Sequence, residues 1–249
     1  MPDLVLAAGG GWPLAWCALV LFGAYTLRGA TGFGAGVVAI PLLLLALPLR
    51  VVIPLVTALG MLASLGQALH QRRHVQWSGL GRLLLPSLAG IAAGLWLFAA
   101  LDSTLLLRAL GLFIIGYALW HFIPWRAGGA LPRWLGPLAA ALGGFVATVF
   151  GGMAGPFYVV HLRSLALDKT RFRATVSVAL LCLAALRALG YGGLGLYDAD
   201  VLWLLAAAVP VVAAAMFTGD RWHARLDEAR FGSVVAVLLA AAGAALLFK

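Results

Sequence analysis

At 249 residues, with 64% hydrophobic side chains, 10% charged ones and a mean hydropathy of +1.05, the chain is far more apolar than a soluble globular domain and reads as an integral membrane protein. A spanning helix takes about 20 residues, so the length holds about eight to ten apolar segments and no soluble catalytic domain. The formal charge of +9 does not point to nucleic acid, because the charges sit between apolar segments, where they set topology.

In chain order, the start Met1-Pro2-Asp3-Leu4 lacks the basic region of a signal peptide, so the first apolar segment is expected to be retained. Punctuation by charge, Gly and Pro predicts ten segments at 12–27, 33–48, 51–69, 82–100, 105–123, 134–150, 153–166, 174–192, 200–218 and 231–248. The predicted fold is therefore an all-α, polytopic membrane domain over 1–249, built from two inverted repeats at 12–123 and 134–248.

Two glycine-rich breaks support the duplication. Arg28-Gly29-Ala30-Thr31-Gly32-Phe33-Gly34-Ala35-Gly36 is answered by Thr148-Val149-Phe150-Gly151-Gly152-Met153-Ala154-Gly155-Pro156, with Gly32 and Gly36 matching Gly151 and Gly155 at one offset of 119 residues. Gly94 with Leu101-Asp102 matches Gly219 with Leu226-Asp227 at an offset of 125. Segments 33–48 and 153–166 are short and follow the breaks, so half-helices or re-entrant pieces are expected there.

Thirteen basic residues fall on one set of alternate connections and three on the other. This bias places both termini outside the cytoplasm. Five segments per half is an odd number, so the halves enter the membrane from opposite sides.

The candidate binding residues are Thr31, Gly32, Gly34, Gly36, Gly151, Gly152, Gly155 and Pro156, where freed N–H groups at a half-helix start favour an anion. Arg187, inside segment 174–192, and Arg28, ahead of the first break, would add positive charge. Close helix packing competes as an explanation for the glycines, and interfacial snorkelling for Arg187. His161, beside the second break, is the one histidine placed to couple protons. All eight acids lie at or near segment ends, which leaves the chain poorly equipped for cations.

Cys17 and Cys182 have no ligand spacing, so neither a zinc site nor a disulfide framework is expected, nor any cofactor. Motifs of hydrolases, metalloproteases and nucleotide-binding enzymes are missing, which argues against an enzyme.

The stretch Gly32-Phe33-Gly34-Ala35-Gly36 with Pro41, the later Gly152-Met153-Ala154-Gly155-Pro156, and the run Leu167-Asp168-Lys169-Thr170-Arg171-Phe172-Arg173-Ala174-Thr175 resemble the two halves of the TauE/SafE sulfite exporter family. The likeness runs from about Leu14 to Phe248. Departures are Ala35, Met153 and Ala154 where the family favours glycine, and Val160 at the second-half counterpart of Pro41. The resemblance implies a multi-pass carrier of the bacterial inner membrane for sulfite, organosulfonates or related small anions. The expected partners are a small anionic substrate and membrane lipid, with homo-oligomerisation left open. The competing readings are an intramembrane enzyme or lipid-handling protein, and an anion-conducting pore.

Overall fold

In hydrocarbon every backbone N–H and C=O must find a partner within the protein, and helices meet that demand locally. A computed structural model describes residues 12–32, 34–71, 75–121, 135–154, 157–158, 169–222 and 239–247. Among them eight helices are delimited: α1 (Trp12–Thr31), α2 (Ala35–Leu43), α3 (Leu49–Gln71), α4 (Trp77–Ala100), α5 (Ser103–His121), α6 (Leu135–Phe150), α7 (Lys169–Gly193) and α8 (Ala199–Trp222). Residues 239–247 are also helical, and no strand occurs among the described residues. Among the described residues, five stretches are long and apolar enough to cross a membrane: Pro13–Thr31, Leu49–Leu69, Leu80–Ala100, Ala174–Gly193 and Ala199–Arg221. The fold is thus all-α and polytopic.

Segment 33–48 shows the clearest departure from its predicted bounds. Its helix, α2, has nine residues, about 14 Å of rise and half of a hydrocarbon core. Residues 44–46 form a turn, and α3 begins at Leu49. The indole Nε1 of Trp16 donates to the Leu42 carbonyl at 3.0 Å, which ties the end of α2 to α1. A half-helix is what the short apolar run predicts.

Two acids at segment ends have a structural role. Asp102 accepts the Leu105 N–H at 2.8 Å ahead of α5, and Asp198 accepts the Val201 N–H at 2.8 Å ahead of α8. Each satisfies one of the orphan donors of a helix start.

The chain divides into two compact units. Unit 1 comprises Met1–Leu55, Leu101–Arg126 and Tyr197–Lys249, and unit 2 comprises Val56–Ala100 and Ala127–Leu196. Each unit draws helices from both halves of the sequence.

In unit 1, α1 lies against α8. A Cβ on Gly29 would stand 3.0 Å from the Cα of Gly219, and one on Gly219 would collide with the Thr26 carbonyl. Gly111 of α5 and Gly243 meet in the same way. In unit 2, α4 lies against α6, where a Cβ on Gly90 would collide with the Ala141 carbonyl and one on Gly94 would stand 2.8 Å from the Thr148 Cβ. Lipid offers apolar side chains as much as a neighbouring helix does, so close backbone approach of this kind is what joins membrane helices.

Polar glue is added at the α4–α6 contact. The Ser87 hydroxyl lies within donating distance of the Leu83 carbonyl, 2.8 Å, and of the Ala140 carbonyl, 2.9 Å. Outward faces carry Leu19, Leu85, Trp96, Leu112, Leu189 and Phe217.

Candidate functional site: two glycine breaks, each with a buried arginine

The first break follows α1. Gly32 adopts φ 89° and Gly34 φ 94°, a left-handed region costly for any residue with a Cβ. The Gly32 N–H donates to the Arg28 carbonyl at 2.6 Å, the single bond of an αL helix ending. Gly34 then caps α2, and the Val37 N–H reaches back to the Gly34 carbonyl at 3.1 Å. The N–H groups of Ala35 and Gly36 belong to the first turn of α2, ahead of any intrahelical acceptor. No atom stands within 4 Å of a Cβ built on Gly34, so backbone conformation, and not crowding, requires glycine there.

Thr31 points its hydroxyl back at the Leu27 carbonyl, 2.9 Å away, so its proton serves the helix. Arg28 occupies the last turn of α1 and is buried, with 7% of its surface exposed. A cation in that turn opposes the negative end of the helix dipole. The fully buried Tyr25 lies one turn back on the same helix.

The second break follows α6. Gly151 and Gly152 take φ 76° and 127°, so the positions matched by the 119-residue offset, Gly32 and Gly151, are both left-handed. The chain resumes a helical turn when the Tyr158 N–H bonds to the Ala154 carbonyl at 3.2 Å. Phe157 and Tyr158 lie against Gly143, near the middle of α6: a Cβ there would be 3.1 Å from that of Phe157 and 2.7 Å from a ring carbon of Tyr158. Phe157 and Tyr158 therefore lie beside the middle of α6. Gly155, Pro156 and His161 lie outside the described residues.

Arg187 is buried, with 6% exposure, and does not snorkel to an interface. Its Nη1 donates to the Ala147 carbonyl at 2.6 Å, and its Nε to the Leu183 carbonyl at 3.3 Å. One turn on, the Tyr191 hydroxyl donates to the Thr148 carbonyl. Tyr158 is buried as well, with 4% exposure.

Arg28 and Arg187 are the buried charged residues among those described. One stands at each break, Arg28 with Thr31, Gly32, Gly34 and Gly36 in unit 1, and Arg187 with Gly151 and Gly152 in unit 2. Sequence reasoning missed Tyr191, Tyr158 and Ser87. The available signal was a hydroxyl inside an otherwise apolar segment.

The closing run of the predicted motif also has a place. Thr175 is fully buried, and its hydroxyl oxygen accepts the Gln76 N–H at 3.0 Å, just ahead of α4.

No curated protein and no solved structure matches the chain. The model of the family described as sulfite exporter TauE/SafE matches residues 17–246, a span that includes both breaks, both buried arginines and the Thr175 motif. The chain belongs to the sulfite exporter TauE/SafE family.

Proposed function

We propose that the chain is a secondary transporter of small anions, with sulfite, organosulfonates and related sulfur-containing or carboxylate anions as the substrate class. The observation that carries this reading is one buried arginine at each glycine break. A guanidinium and the N–H groups of a helix start both favour negative charge, and a low-dielectric surrounding strengthens both. Every acid described lies at or near a segment end, and two of them, Asp102 and Asp198, cap helices.

The mechanism that fits is alternating access, with the anion held at the half-helix starts and released to the other side as the protein rearranges. His161 is the proposed proton-coupling residue. The proposed setting is the inner membrane with both termini outside the cytoplasm, in accord with the basic connections.

Labelled sulfite or sulfoacetate uptake into proteoliposomes tests the proposal. Saturable flux is expected, lost when Gly34 and Gly152, both with open space around the missing Cβ, are replaced by leucine. Undiminished flux in that double variant would remove the breaks from the pathway, and channel-rate conduction without saturation would favour a pore.

A further inference from the structure

The buried guanidinium of Arg187 invites assignment as a direct substrate ligand, but its geometry points elsewhere. The last four carbonyls of a helix have no partner within it, and in α6 these belong to Ala147, Thr148, Val149 and Phe150. Ala147 and Thr148 lie in this last turn, four residues ahead of residues 151 and 152. Those residues are the two glycines that turn left-handed.

Arg187 and Tyr191 stand four residues apart on α7, so they share one face of that helix. They donate to these two consecutive carbonyls, Arg187 to Ala147 and Tyr191 to Thr148. The guanidinium also opposes the partial negative charge at the helix end.

Tyr191 is itself fixed from two sides. Its ring packs against Phe98 at a centroid distance of 5.5 Å. Its carbonyl accepts the Leu196 N–H at 3.0 Å, while the Gly195 N–H bonds to the Gly192 carbonyl at 3.0 Å and Gly195 takes φ 70°. That is a Schellman ending, which sets the register of the last turn of α7. With the 119-residue offset, Ala147 corresponds to Arg28, whose carbonyl is satisfied by the Gly32 N–H. At the second break the counterpart carbonyl, that of Ala147, accepts from a side chain of α7.

We propose that Arg187 and Tyr191 are a positioning pair that clamps the carbonyl end of α6 and holds the second break in its binding geometry. Arg187 acts on the anion through the break and does not ligate it. This rests on the reading of the breaks as the anion site.

Two measurements on Y191F, R187K, R187M and Y191F/R187M test it. In sulfite uptake, Y191F and R187K are each expected to raise KM about tenfold with Vmax within twofold of wild type. The double variant is expected to be no worse than R187M alone, since both groups hold one helix end. A wild-type KM for R187K and for Y191F beside a large loss in R187M would overturn the proposal, because charge alone would then suffice.

Amide hydrogen exchange in detergent gives a readout independent of transport. Exchange at 151–154 is expected to rise at least tenfold in Y191F and in R187K, while 34–37 is unchanged. Unaltered exchange at 151–154 refutes the clamp whatever the flux, and absence of sulfite uptake by the wild type refutes the transport reading while exchange still decides the clamp. Y191F removes one oxygen, so it serves if the arginine variants fail to fold.

Discussion

The two glycine breaks resemble each other in sequence and differ in what completes them. At the first, the αL turn is closed by its own backbone, with the Gly32 N–H on the Arg28 carbonyl, and the buried cation sits on the broken helix itself. At the second, the carbonyls left by α6 are met by Arg187 and Tyr191 from a different helix. The left-handed glycines are shared, but a backbone donor meets the Arg28 carbonyl at the first break, and side chains of α7 meet two carbonyls at the second. A helix interruption in a membrane is thus a question of where the orphan carbonyls find donors, and one protein answers it in two ways.

The largest test of this comparison bears on the helices that carry the breaks. Gly219→Val in unit 1 and Gly90→Val in unit 2 force each broken helix off its partner, because a Cβ at either site meets backbone. Each is expected to destabilise by about 3 kcal/mol, the upper part of the overpacking range, read as a fall in detergent melting temperature. A neutral outcome at one site alone would show that only one broken helix depends on this contact.

Next come Gly32→Ala and Gly151→Ala, which put a Cβ at φ 89° and 76°. A cost of about 1–2 kcal/mol is expected at each. Because the first break is closed locally and the second from α7, combining G151A with Y191F should depart from additivity, whereas G32A with Y191F should add. Double-mutant melting curves decide.

Smaller effects follow from the helix caps. Asp102→Ala and Asp198→Ala each remove an acceptor from an N-terminal N–H, at a cost of about 1 kcal/mol, without altering sulfite KM at either break. Gly66→Ala, in α3 with nothing within 4 Å of the added carbon, is expected to stabilise by about 0.5 kcal/mol or leave stability unchanged. This last variant separates glycines required by shape from one that is not.

Much of this was readable in the chain. Apolar runs gave helices whose ends move by a few residues, as with 12–27 against Trp12–Thr31, and the shortness of the run after the first break announced the half-helix α2. Glycines at matched offsets marked both left-handed turns. Gly94 and Gly219, paired as equivalents by sequence, each lie against a broken helix: Gly94 meets Thr148, and Gly219 meets Gly29, which the 119-residue offset places opposite Thr148.

What stayed hidden was tertiary register. Arg187 stood out as a charge in an apolar segment, but its target carbonyl lies 40 residues away. Tyr191 carried no comparable signal, since a lone tyrosine near a helix end serves equally well at a membrane interface. Nor could hydropathy pair α1 with α8 and α4 with α6, because an apolar stretch does not say which other apolar stretch it meets.

The partnership of α1 with α8 has a consequence for biosynthesis. Unit 2 brings α4 and α6 together once residue 150 has been made, whereas α1, among the first segments inserted, waits for residues 199–222. Until then the surface around Gly29 lacks the α8 backbone that covers it. A nascent chain stalled before α8 would therefore leave the Gly29 contact unmade, a form well suited to recognition by membrane quality control.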